Sequence, residues 1–184
     1  MEIPNNAALL VIDVQQGFAD PGWGRRNNPE MESNTARLIE EWRRHDRPIV
    51  FVRHDSVELQ SPLHPGQDGN DFKDIVTGDS DLLVSKSVNS AFYGEPDLDG
   101  WLRARGIDTV VICGIQTNMC CETTARMAGN LGYSTLFALD ATHTYDMVAP
   151  DGSPVTADEL ARITATNLHG EFATVVNTDD LIAG

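Results

Sequence analysis

The sequence predicts an α/β domain built on a mainly parallel sheet of about six strands with helices on both faces. Short apolar runs that suit strands buried on both faces alternate with segments of helical periodicity along the whole chain. The 184 residues, 41% of them apolar, suit a single globular domain covering residues 1–184, with a core that needs no disulfide or metal staple.

The first strand is Ala7–Val14, an apolar run with one acid, Asp13, near its end. A helix over Asn34–His45 follows, with Ala36, Ile39 and Trp42 at helical spacing and Ser33 or Asn34 as its cap. Pro48–Arg53 reads as the second strand and Asp81–Lys86 as the third. Asp97–Arg105 is a short helix closed by Gly106. The apolar run Thr109–Cys113 is the fourth strand, and Cys120–Leu131 is a helix stopped by Gly132. Ser134–Asp140 is a strand, and Thr156 with Glu159 forms a capping box for a helix ending at His169-Gly170. Ala173–Asn177 is the last strand. Three long irregular stretches remain, Gly17–Glu32, His54–Asn70 and Thr142–Val155; loops of that length in a compact domain are usually functional or mobile.

Composition narrows the partners. A net charge of −15 repels nucleic acid and anionic membrane alike. No apolar run approaches the roughly 18–20 residues of a membrane span, and the start Met1-Glu2-Ile3-Pro4 lacks the pattern of a secretory signal. Three cysteines, two of them adjacent, make no disulfide framework and fit a reducing, cytoplasmic setting. The expected partner is a small molecule.

In open α/β sheets ligands sit beyond the carboxyl ends of the strands. Asp13 closes the first strand there, Lys86 the third, and Gly114 leads from the fourth into a turn reaching Cys120. A carboxylate, an amine and a thiol on one rim supply a base, an organising charge and a nucleophile. Cys120 falls in the first turn of its helix, where the helix N-terminus and a nearby lysine favour thiolate over thiol. The competing reading is a small buried hydrophobe, which suits Cys113 better. Cys121 lies about 100° round the helix from Cys120, so both cannot aim into one pocket. A buried carboxylate at Asp13 must be paired or capping a backbone group; a phosphoryl-acceptor role is disfavoured because Gln15 stands where a second acid is wanted. Lys86 is one of only two lysines, with Lys73, beside eleven arginines, which suggests a need for a compact ammonium. No G-x-S-x-G, Walker loop or G-x-G-x-x-G occurs, and His54, His64 and His143 lack metal-ligand spacing.

These sites with their surroundings resemble the isochorismatase-like cysteine hydrolases, which include nicotinamidases and related small-amide hydrolases. The matching stretches are Leu10–Gln15, Lys86–Phe92 and Gly114–Cys120, continuing to Thr124-Ala125, Gly132-Tyr133 and Asp140-Ala141. The resemblance runs from about residue 7 to residue 177, and the ordered set is specific where each motif alone is weak. It implies a three-layer αβα sandwich, Rossmann-like, with Asp13 as general base, Lys86 as charge partner and Cys120 as nucleophile. It also implies hydrolysis of a C–N bond through a thioester, homo-oligomeric assembly, and an oxyanion hole of backbone N–H groups at Gln116 and Cys120 with a cis peptide between Ile115 and Gln116. Phe18, Trp23, His54, Phe92 and Tyr93 lie on loops over the rim and are the expected pocket wall.

Three departures stand out. Cys121 takes a usually aliphatic position, and Gln116 an often small one. Arg53-His54-Asp55-Ser56 replaces the Asp-x-His of metal-binding relatives, so no metal or other cofactor is expected. Two rival functions share the fold: vinyl-ether hydrolysis of a dianion, for which Lys86, Arg25, Arg26 and Arg53 are the cations near the rim, and a catalytically silent interaction domain, against which the intact Asp13, Lys86 and Cys120 argue.

Overall fold

The computed structural model describes residues 2–182. Its central sheet has six strands: β1 (Ala8–Ile12), β2 (Ile49–His54), β3 (Leu82–Lys86), β4 (Thr109–Ile115), β5 (Ser134–His143) and, after a two-residue pair described below, a last short strand over Thr174–Val176. Every neighbouring pair in the sheet is parallel. A parallel neighbour requires a crossover, and the segments between strands supply helices for it. They are α1 (Met31–Arg44), α2 (Leu98–Ala104), α3 (Glu122–Asn130) and α4 (Ala157–Leu168), with α5 (Thr178–Ile182) following the last strand. The antiparallel pair β6 (Met147–Val148) and β7 (Pro154–Val155) forms a small separate hairpin, so the last sheet strand is β8.

Burial follows the strand period of two. On β1, Leu9 and Val11 belong to a core cluster with Leu38, Trp42 and Leu181, under α1 and α5. Leu10 and Ile12 point the other way, into a cluster with Leu102, Ala125 and Leu168 under α2, α3 and α4. Both faces of the sheet are therefore covered, and the three-layer architecture follows. None of the described helices is long and apolar enough to cross a membrane.

The order across the sheet is β3-β2-β1-β4-β5-β8. The chain winds outward from β1 to β3, then returns to β4 on the other side of β1. The crevice beyond β1 and β4 is thus the switch point where such sheets place a ligand.

Several boundaries differ from those the sequence suggests. Helix α1 begins a turn earlier, at Met31, and no side chain caps it. Met31 is fully buried, and the Asn34 side chain donates instead to the Asp140 carbonyl at 2.8 Å, so packing sets this end of the helix. Strand β5 runs on to His143 because a shift in its pairing with β4, between Ile112 and Gly114, lets it resume at Thr142 and His143. Helix α4 has the expected reciprocal capping box of Thr156 and Glu159.

Candidate active site

Gly114 is the residue on which β4 depends for its close approach to β1. Its φ is +126°, and a Cβ there would lie 2.0 Å from the Ile12 carbonyl oxygen. Only glycine fits such a backbone. Beyond it, the Ile115–Gln116 peptide is cis, as the resemblance implies. Thr117–Cys121 then form a π-helical turn that leads into α3, with the Met119 and Cys121 N–H groups donating to the Gln116 carbonyl. Cys120 therefore sits in this turn, just ahead of the regular helix. Among the described residues the Gln116 N–H donates to no acceptor.

Asp13 follows β1 with a φ of +50°, in the left-handed region that few residues other than glycine adopt. Lys86 ends β3, two strands away, and its stem crosses over β2 to reach Asp13. Its Nζ lies 2.6 Å from Asp13 Oδ2 and 3.2 Å from His54 Nδ1. Neither the Lys86 nor the Asp13 side chain is exposed at all. Among the described residues Asp13 Oδ1 has no nitrogen or oxygen partner. A carboxylate oxygen of Asp13, a ring nitrogen of His54 and Cys120 Sγ all lie within 4.8 Å of one another. The carboxylate, ammonium and thiol expected from the sequence do converge.

Burial works against the Lys86 ammonium, but Asp13 and Cys120 outweigh it and raise its pKa. The thiol behaves differently from the sequence expectation. Burial and then the Asp13 carboxylate push Cys120 well above its ordinary value, and Lys86 pulls down by less. The resting state is thus a buried thiol beside a carboxylate, because a thiolate there would face Asp13 in a dry site. Burial likewise pushes Cys113 up to about 12 and raises Cys121.

Cys120 lies at the edge of a cavity of about 360 Å3. Phe18, Trp23 and Tyr145 form one wall, with Trp23 centred 5.2 Å from Phe18 and 5.6 Å from Tyr145. Both polar ends of this aromatic group are tied down: Trp23 Nε1 donates to the Gly17 carbonyl at 2.9 Å, and the Tyr145 hydroxyl donates to the Phe18 carbonyl. His54, Asn89, Gln116 and Asp146 contribute the polar lining. Asn89 Oδ1 lies 3.8 Å from Cys120 Sγ.

His54 is held firmly. The buried Gln15 side chain accepts from the His54 N–H at 2.9 Å and donates to its carbonyl at 3.0 Å, and Asn70 Nδ2 donates to the same carbonyl at 3.2 Å. Burial first, then the Lys86 ammonium, lower the His54 pKa, so the ring is neutral around pH 7.

Phe92 and Tyr93 are not part of this cavity, contrary to the sequence expectation. Ser90 Oγ accepts from the Phe92 N–H, and the Ala91 N–H donates to Thr124 Oγ1, which pins their turn against α3. Phe92 stacks on Tyr133 at 5.8 Å, and Tyr93, 70% exposed, faces a separate surface groove with Val88 and Met127. In their place the cavity uses Asn89, Tyr145, Asp146 and Met147. Three of those four lie in the stretch Thr142–Val155, whose length was the available signal.

The arginines near the rim are all engaged. Arg25 makes two bonds of 2.9 Å to the Asp146 carboxylate, Arg26 pairs with Glu32, and Arg53 pairs with Asp55 at 2.9 Å. Asp13, His54 and Cys120 are the one group of metal-ligand type among the described residues. Their fit to a metal is poor, because the Lys86 ammonium already stands against both Asp13 and His54.

An isochorismatase domain family model matches residues 7–179. The isochorismatase family protein YrdC of Bacillus subtilis is 39% identical over 176 residues, covering 95% of this chain and 94% of that protein. Nicotinamidase 3 of Arabidopsis thaliana is 33% identical, covering 97% of this chain and 89% of its own. Among solved structures, an isochorismatase-family protein from Chromobacterium violaceum matches with a TM-score of 0.94 at 38% identity, over 99% of this chain and 94% of that one.

Proposed function

The chain belongs to the isochorismatase family of hydrolases, and from that premise we propose that it is a cysteine hydrolase cleaving a C–N bond in a small amide-like molecule. One observation carries the reading: the buried Asp13–Lys86 pair sets a carboxylate oxygen of Asp13 within 4.8 Å of the Cys120 sulfur. A buried carboxylate this close to the thiol is positioned to take its proton.

In the first half-reaction Asp13 accepts the thiol proton as Cys120 Sγ attacks the substrate carbonyl, forming the S–C bond. Lys86 stays charged throughout and holds the Asp13 carboxylate in place through its bond to Oδ2. Backbone N–H groups at Gln116 and Cys120 hold the developing oxyanion, a contribution of about 3–4 kcal/mol per donor in comparable enzymes. Collapse of the tetrahedral species breaks the C–N bond, and Asp13 returns its proton to the departing nitrogen. Water then attacks the thioester carbonyl, giving one proton to Asp13. The S–C bond breaks, the acid leaves, and the proton goes back to sulfur.

The high thiol pKa fits this sequence, since proton transfer is coupled to attack and no standing thiolate is needed. His54, Trp23 and Phe18 hold the substrate against Cys120. The three cysteines are unpaired, in keeping with a reducing, cytoplasmic setting. The test is a screen of small amides, ureas and carbamoyl compounds read out as released ammonia or amine. Hydrolysis that disappears in Cys120→Ser supports the reading, and hydrolysis that persists in that variant overturns it.

A further inference from the structure

We infer that the acyl pocket selects flat, uncharged acyl groups and rejects substrates that carry a carboxylate; this rests on the amide-hydrolase reading of the same site. Three observations lead there. The wall opposite the polar lining is a pre-set aromatic surface of Phe18, Trp23 and Tyr145, fixed by hydrogen bonds to backbone rather than free to rearrange. Aromatic faces of this kind favour stacking of planar groups.

The second observation is the absence of a usable cation among the residues lining the cavity. Lys86 is wholly buried and committed to Asp13 and His54. The nearby Arg25, Arg26 and Arg53 are committed to Asp146, Glu32 and Asp55. A carboxylate brought into the cavity would be desolvated with no partner, which is strongly unfavourable.

Third, the one carboxylate that lines the cavity, Asp146, is itself an anion. Its oxygens accept from Arg25, and Oδ1 also accepts from the Ala157 N–H at 2.7 Å. Those contacts pair it with Arg25, so neither group offers a free positive charge to an incoming anion, and the field of a chain with net charge −15 opposes one. A substrate anion therefore meets the repulsive field of the whole chain and no counter-charge inside.

The test uses matched para-substituted probes. Benzamide and 4-carbamoylbenzoate are compared as substrates by ammonia release. Benzaldehyde and 4-carboxybenzaldehyde are compared for protection of Cys120 against iodoacetamide, since an aldehyde adds reversibly to the thiol and needs no turnover. The expected result is protection by benzaldehyde at concentrations at least about tenfold lower than by its carboxylate counterpart, and the same order in kcat/KM. Equal protection by the two aldehydes, better protection by the anion, or protection by neither overturns the proposal. Selective protection with no amide hydrolysed would leave the charge selection standing while removing the amide-hydrolase reading. A Trp23→Leu variant should weaken protection by benzaldehyde, and unchanged protection there also counts against the aromatic surface.

Discussion

All three thiols of this chain are buried and held protonated, so what sets Cys120 apart is its surroundings. Cys113 and Cys121 are fully enclosed, whereas Cys120 borders the cavity and has a carboxylate beside it to take its proton. Iodoacetamide at neutral pH should therefore label Cys120 first, by peptide mass mapping; initial label on Cys113 or Cys121 would contradict the assignment. Asp13→Asn should abolish hydrolysis, because the base is lost, while leaving Cys120 open to the label, because the carboxylate that holds the thiol protonated is gone. It should also destabilise the fold by about 3–5 kcal/mol, since Lys86 is left buried without its counter-charge; a denaturant titration measures this. The same ammonium makes a metal prediction. With Lys86 Nζ at 2.6 Å from Asp13 and 3.2 Å from His54, a divalent ion on those ligands would meet a fixed positive charge. Activity should survive exhaustive chelation, and activity that is lost to a chelator and restored by one metal would show that Lys86 yields its place.

At the scale of elements, the site is built where β1 and β4 come nearest, and Gly114 permits that approach. Gly114→Ala should push the two strands apart, lowering stability by roughly 1–3 kcal/mol for strain at a special backbone position and activity by more, since Asp13 and the turn to Cys120 separate together. A variant with full activity and an unchanged unfolding midpoint would mean the strands relax around the methyl. Much of this arrangement is legible in the sequence, because strands buried on both faces write continuous apolar runs and the polar residues that end them stand out. Asp13 and Lys86 are conspicuous for that reason, and Gly114 marks the turn to Cys120. Less legible is anything fixed by long-range packing. The start of α1 is decided by the burial of Met31 and by the reach of Asn34 to Asp140, neither of which has a local signature. Phe92 and Tyr93 read as pocket residues from their place after Lys86, yet one bond from Ala91 to Thr124 turns them toward α3. Gln15 reads only as a missing second acid, whereas folded it clamps both backbone groups of His54, 39 residues away. Tyr145 and Asp146 were hidden in a long loop whose function could be suspected but whose side chains could not be aimed.

For the molecule as a whole, the same burial that shapes the site makes the fold sensitive to acid just behind the cavity wall. His143 ends β5 fully buried, its ring edge against Tyr145 at 5.2 Å. Burial, then the positive charge of Arg26, lowers its pKa from 6.5 to about 3, with Lys73 acting in the same direction and Glu32 against it. The unfolded chain thus binds a proton near pH 6.5 that the folded chain refuses until about pH 3. Stability from this group is fully present above pH 6.5 and is lost as pH falls from 6.5 toward 3. At about 1.36 kcal/mol per unit the loss amounts to a few kcal/mol. Glu32, half-buried and bonded to Arg26 and Lys73, titrates at about 2 against 4.5 when free, so its share is present above 4.5 and lost only below that. Between pH 6.5 and 4.5, then, His143 acts without Glu32. The relief of self-repulsion as a chain of charge −15 is neutralised opposes both losses, and it is common to a wild-type and variant pair. His143→Gln should lower stability at pH 7 only modestly and should flatten the fall of the thermal midpoint between pH 6.5 and 4.5. Parallel curves for the two proteins over that interval would mean that His143 takes up its proton in the folded state, with Glu32 as its partner.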